Sequence, residues 1–219
     1  MKQITVKGTG RASAQPDLTT LSMRLSTEDP VYEKSLAKAN RELEHLRDAL
    51  VSEGFDAADL KTADFGIQPV YDSIKDRYDS YKQVFRCFRV NHALTLEFDF
   101  DSKRLGRILA AIAASSAVPE FNIGFTVKDK DALAAQMLQN AVANARMKAE
   151  IIVNAAWLQL GDIISIDYSW DDVHVHSPTR FSLMAEKMAY ASAEIDIQPD
   201  EIKVSDTVTI VWQITKRED

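Results

Sequence analysis

An α+β fold, with helices packed on mainly antiparallel sheets, is what this chain predicts, and three observations carry that prediction. Apolar residues alternate with polar ones in at least six separate stretches, the period of strands with one buried face. Two longer stretches instead repeat apolar residues at steps of three and four, the period of an amphipathic helix. Finally, the order strand, helix, strand, strand occurs twice, over about residues 1–100 and 118–219, with a short helix over about 102–116 joining the two units. Residue-level identity between the halves is absent, so this repetition is one of architecture alone.

The chain opens with Ile4-Thr5-Val6-Lys7-Gly8-Thr9-Gly10. A glycine pair after a short strand resembles a phosphate loop, but such a loop needs a third small residue and a helix to meet the phosphate. Here Pro16-Asp17 and the alternating Leu21, Met23 and Leu25 follow, so the glycines are expected to make a turn or bulge between two strand segments. Asp29-Pro30 starts a helix whose stripe runs through Leu36, Ala39, Leu43, Leu46 and Leu50 and stops at Gly54. Ala63, Phe65, Ile67, Pro69 and Tyr71, and then Phe88, Val90, Leu94, Leu96, Phe98 and Phe100, predict two strands each with one buried face. The polar, tyrosine-dotted stretch from Asp72 to Lys82 between them predicts a hairpin loop.

Leu105, Ile108, Leu109 and Ile112 give the joining helix its apolar side, and Phe121, Ile123, Phe125 and Val127 give the next strand. From Asp129 to Leu160 the spacing of Ala134, Leu138, Ala141, Ala145, Ala149, Ile152 and Ala156 predicts the longest helix, ending at Gly161. Its small face lets the axis approach a sheet closely. Ile164, Ile166, Tyr168 and Trp170 predict another strand, and Ile202 to Ile214 shows the clearest alternation of all. Residues 171–200 break the pattern. A stretch that long between strands is expected either to wander or to hold a turn or two of helix around Phe181, Leu183, Met184 and Met188, whose apolar side chains suit contact with a protein partner.

Composition bounds the function. A chain of 219 residues with 46% hydrophobic content builds a sizeable core, and a net charge of −7 argues against sequence-independent nucleic-acid binding. No run reaches the ~18 apolar residues of a membrane-spanning helix. The lone Cys87 rules out an internal disulfide and reads as a half-buried strand residue. Because a strand begins within a few residues of Met1, the chain as written is expected in the cytoplasm, and in the periplasm where a leader has been removed.

Reaction chemistry has few candidates. His174 and His176, two apart beside Asp171 and Asp172, are the best metal ligands available, yet no third and fourth ligand at zinc-like spacing accompanies them, so no metal or cofactor is expected. His92 lies in phase with Val90 and Leu94 and reads as a hydrogen-bonded core histidine. No nucleophile or base pairs with it in the sequence, and no catalytic residue is assigned. Tyr71, Arg77, Tyr78 and Tyr81 around the hairpin, with Phe181, Met184 and Met188, form the candidate interaction surface.

The opening Ile4 to Gly10 with Pro16-Asp17, the strand Asp64…Ile67-Gln68-Pro69-Val70-Tyr71, the helix with Ala141, Ala145 and Ala149 followed by Leu160-Gly161, and the closing Ile197-Gln198-Pro199 together resemble the SIMPL domain family, formerly DUF541. The resemblance covers about residues 3–215. It implies an α+β protein of a kind often exported to the bacterial periplasm or outer membrane, some of whose members form ring-like or channel-like oligomers and others of which are linked to oxidative-stress defence. It supplies no catalytic residues. The resulting expectation is a non-enzymatic homo-oligomer acting through surfaces, with a ligand binder or enzyme using a cleft between the two units as the alternative.

Overall fold

The structure is a computed structural model, and it describes residues 2–75, 81–168, 175–179 and 197–217, together with the backbone of 181–184. In chain order the described elements are β1 (Gln3–Ala14), β2 (Leu18–Asp29), α1 (Tyr32–Ser52), β3 (Lys61–Lys75), β4 (Tyr81–Asp99), α2 (Ser102–Ala114), β5 (Glu120–Thr126), α3 (Lys130–Ala155), β6 (Leu158–Asp167), β7 (Phe181–Met184) and β8 (Ile202–Lys216). They form an α+β fold with two sheets, of order β1-β8-β6 and β3-β4-β2-β5-β7, in two compact units.

The units are not consecutive pieces of chain. One gathers residues 1–16, 126–178 and 200–219, the other residues 17–125 and 179–199. In the second unit β2, α1, β3 and β4 give a strand, a helix and two strands in sheet order β3-β4-β2. The first unit repeats that arrangement with α3, β6 and β8, in order β6-β8-β1, but its leading strand is β1. β5, which precedes α3 in the chain, instead extends the other sheet next to β2. The expected repeat is therefore present with its first strand exchanged. The helix expected as a joiner, α2, is part of the second unit's core.

That core is built by Leu21, Met23 and Leu25 of β2, Leu94 and Leu96 of β4, Phe121 and Ile123 of β5, and the apolar sides of α1 and α2. Leu105, Ile108, Leu109 and Ile112 of α2 are all buried, as their spacing predicts. Asp101 caps α2, its carboxylate accepting the backbone N–H groups of Lys103 at 2.8 Å and Arg104 at 3.0 Å. These bonds, Arg104's first, hold the Asp101 carboxyl below its ordinary range. α1 starts two residues later than Asp29-Pro30 indicates. Asp29 instead ends β2 and accepts the Val31 N–H, and Gly54 closes the helix at φ +83°, a conformation that glycine adopts without strain.

In the first unit the small face of α3 lies directly on β1. Ala141, Ala145 and Ala149 are buried there, but the stripe continues through Leu133, Met137 and Val153, whereas Ile152 is half exposed. β1 runs unbroken through Gly8 and Gly10 with no turn or bulge. The reason is proximity: a Cβ on Gly8 would lie 2.6 Å from the nitrogen and the Cβ of Ala145, and one on Gly10 would lie 2.6 Å from the nitrogen of Ala141. These glycines make room for a helix backbone. α3 also binds the outer edge of β1, for Asn140 Nδ2 donates to the Arg11 carbonyl at 2.8 Å, the Thr9 N–H donates to Asn144 Oδ1 at 3.0 Å, and Lys148 Nζ donates to the Lys7 carbonyl at 3.2 Å. Four helical residues rise about 6 Å and two strand residues about 6.6 Å. Side chains at every fourth helical position therefore meet every second strand residue.

α3 ends at Ala155, before the expected Gly161, because Trp157 takes the left-handed conformation (φ 58°) in which a helix stops and the alternation of β6 begins at Leu158. Phe181–Met184, for which helix was an option, is a short strand paired with β5. Residues 171–174, 180 and 185–196 of the expected excursion, and Trp170 of the strand expected before it, lie outside the described residues.

Candidate functional site

The most distinctive surface among the described residues is the β3–β4 hairpin. The two strands pair from Lys61↔Thr95 out to Lys75↔Tyr81, so Asp72–Lys75 and Tyr81–Lys82, expected in a loop, belong to the ladder. β3 is an edge strand, and its single buried face does not materialise: Phe65 is 46% exposed and Tyr71 53%. Among the described residues no helix covers this end of the sheet, and the core-facing alternation of β4 takes hold only from Val90, while Cys87 is buried out of phase with it.

Cross-strand pairing fixes what the hairpin presents. Tyr71 stands opposite Phe85 and Tyr81 opposite Lys75, whereas Val84 and Ile74 fall on the other face, opposite Asp72 and Lys82. Tyr71, Ile74, Tyr81, Val84 and Phe85 are all exposed, Tyr81 at 71%. A run of ring contacts supports them: Tyr71 meets Phe85 edge-on at 5.9 Å, Phe85 meets Phe88 at a tilt at 5.1 Å, and Phe88 meets Tyr32 of α1 edge-on at 5.6 Å between centroids. Beside the rings, Glu28 of β2 takes both Arg89, at 2.6 Å, and Arg86, which also reaches Asp72 at 3.5 Å. Those two guanidinium groups, Arg89's first, hold the Glu28 carboxyl below its ordinary range.

His92 sits at the base of the hairpin, on the helix-facing side of β4. Its Nε2 forms a 2.9 Å hydrogen bond with Thr62 Oγ1, and the Phe65 ring meets it edge-on at 5.1 Å. Burial, and then the positive charge of Arg47 on α1, push its pKa down. The partners are a hydroxyl, a ring and a cation, which fit the expected hydrogen-bonded core histidine.

The remaining sequence candidates are scattered. Tyr71 and Tyr81 lie on the hairpin, but Arg77, Tyr78, Met188 and His174 fall outside the described residues. Phe181 and Met184 are placed by backbone only, on β7. His176 is exposed in the segment 175–179. Among the described residues no three His, Cys, Asp or Glu side chains come together as a metal site. The residues missed were Ile74, Val84 and Phe85. Their signal was present, since Tyr81, Gln83 and Phe85 alternate on the strand, but the polar neighbours Lys82 and Gln83 masked it.

Comparison with known proteins adds identity. The family model for SIMPL, described as "Protein of unknown function (DUF541)", matches residues 4–212. The 26 kDa periplasmic immunogenic protein of Brucella melitensis is 24% identical over 164 residues, 75% of this chain, and its counterpart in Brucella abortus matches equally. The match spans 65% of the length of these two relatives. The uncharacterized protein YggE of Edwardsiella ictaluri is 22% identical over 215 residues, covering 97% of this chain and 87% of that protein. With nearly its whole length matched by one family model and its glycine-faced first strand seated under an alanine-faced helix, the chain belongs to the SIMPL (DUF541) family.

Proposed function

We propose that this chain is a non-enzymatic protein that self-associates through its β3–β4 hairpin and works as an assembly, in the periplasm as the names of the two Brucella relatives place those proteins. One observation carries the reading: a paired, ring-supported hairpin presents five exposed apolar side chains on two faces, and its strand β3 has no neighbour on its outer side among the described residues. An exposed edge strand with apolar side chains is a template for another strand. A second copy supplies the matching edge, because a two-fold contact pairs a surface with itself. The ion-paired Glu28, Arg86 and Arg89 beside it would set the register of such a contact.

Light scattering over a concentration series tests this. The wild-type chain is expected well above its monomer mass of 24.5 kDa, and the double variant Tyr71→Ser/Phe85→Ser, altered only at exposed positions, is expected to shift toward the monomer. A wild-type monomer at every concentration sinks the proposal.

A further inference from the structure

The face of the five-stranded sheet turned away from α1 and α2 carries a groove of about 370 Å³, within the ~300–1,000 Å³ range of small-molecule sites. Side chains of β2, β4 and β5 that alternate with the core residues build it. Ser22 and Arg24 come from β2, Ala93 and Thr95 from β4, and Glu120 and Asn122 from β5. Arg24 pairs with Ala93 across the ladder and Ser22 with Thr95, so small residues floor the groove around the guanidinium.

The charges in this groove differ from others on the same face. Glu28 is held by Arg86 and Arg89, and Glu97 accepts the Thr20 hydroxyl at 3.5 Å. Arg24 and Glu120 have neither an ion pair nor a side-chain hydrogen bond among the described residues, although both line the groove. Unlike charges placed in one groove without touching each other leave room for a ligand that carries both. Their strands are neighbours in the sheet, about 4.8 Å apart. Both residues line the same groove, and two extended residues span about 7 Å, the length of a dipeptide laid across neighbouring strands.

We infer that this groove binds a dipeptide-sized zwitterion, its carboxylate on Arg24 and its ammonium on Glu120. Arg24 offers the planar fork that takes a carboxylate in two parallel hydrogen bonds. Asn122, Ser22 and Thr95 offer donors and acceptors for the peptide group between the charges. The site lies within one unit and uses none of the exposed apolar residues Tyr71, Ile74, Tyr81, Val84 and Phe85 of the hairpin.

Saturation-transfer NMR on the full chain tests the inference, because it reads weak ligands on a protein of any assembly state. The probes are L-alanyl-L-alanine, its N-acetyl derivative and its C-terminal amide. The free dipeptide is expected to saturate in the millimolar range, with affinity at least tenfold lower for Arg24→Gln and likewise for Glu120→Gln. The dependence should cross: Arg24→Gln weakens the N-acetyl derivative and leaves the amide unchanged, and Glu120→Gln does the reverse. Ala93→Leu, which raises the floor, should abolish all three signals. No saturable signal from the wild type, or equal affinities in wild type and Arg24→Gln, overturns the inference.

Discussion

Adding one methyl group to β1 tests the contact on which the three-stranded unit is built. In Gly8→Ala the new Cβ would sit 2.6 Å from both the nitrogen and the Cβ of Ala145, where real contacts need at least 3.0 Å. Neither atom is the end of a flexible side chain, so the helix as a whole must yield. If it stays, overpacking costs about 1–3 kcal/mol. If it moves away, the three bonds from Asn140, Asn144 and Lys148 to β1 are lost, at about 1 kcal/mol each. The first route thus costs about 1–3 kcal/mol and the second about 3 kcal/mol, each offset by about 0.4–1 kcal/mol because alanine restricts the unfolded chain. The net loss is about 0.5–2.5 kcal/mol, a fall in Tm of about 1–10 °C for a chain of this size. Gly66→Ala is the control: its Cβ would meet nothing within 4 Å, and stability should stay within about 0.5 kcal/mol of wild type or rise. Thermal unfolding followed by circular dichroism reads both. A Gly8→Ala protein as stable as wild type would refute the close approach of α3 to β1.

Two further perturbations probe other parts of the fold. Asn144→Ala removes the acceptor for the Thr9 N–H on the outer edge of β1; a cost of about 1 kcal/mol is expected, with faster hydrogen exchange at the Thr9 amide and little change in the middle of β8. His92 gives a pH dependence. Its folded pKa lies below the ordinary 6.5, so the unfolded chain takes up the proton first as pH falls. Stability is full above pH 6.5, declines from there toward the folded value, and levels off below it. Urea midpoints between pH 7.5 and 5 should therefore drop less for His92→Gln than for wild type, and an equal drop would remove His92 as the cause.

The sequence was most legible where one face of an element is buried along its whole length. α2 and β8 keep their apolar period from end to end, and their buried residues fall where the period puts them. It misled where a second influence set the residue choice. Gly8 and Gly10 look like turn residues, but a helix backbone several strands away in sequence demands them. Ala63, Phe65, Ile67 and Tyr71 alternate like a half-buried strand, but their hairpin extends past the helices that would cover it. Leu160-Gly161 looks like a helix end, but the left-handed Trp157 had already stopped the helix. The exchange of β1 for β5 left no local trace, because pairing partners are chosen by long-range contacts that the period of a strand does not encode. The hairpin surface was half visible, through Tyr71 and Tyr81. The groove at Arg24 was not, since its lining comes from four strands spread along the chain.

The pairing of β1 with β8 sets the order in which the molecule is finished. Gln3 stands opposite Gln213, so the sheet beneath α3 joins residues 210 positions apart along the chain. Closing so long a span is slow, and its entropy must be met before the contacts that reward it form. While the chain is being made, the second unit has its main elements by residue 125, but β1 waits with its glycine face uncovered until the last strand has emerged. β1 is thus made before the rest of its sheet and is among the last strands to be fixed in place, and loss of either β1 or β8 removes a strand from the same sheet.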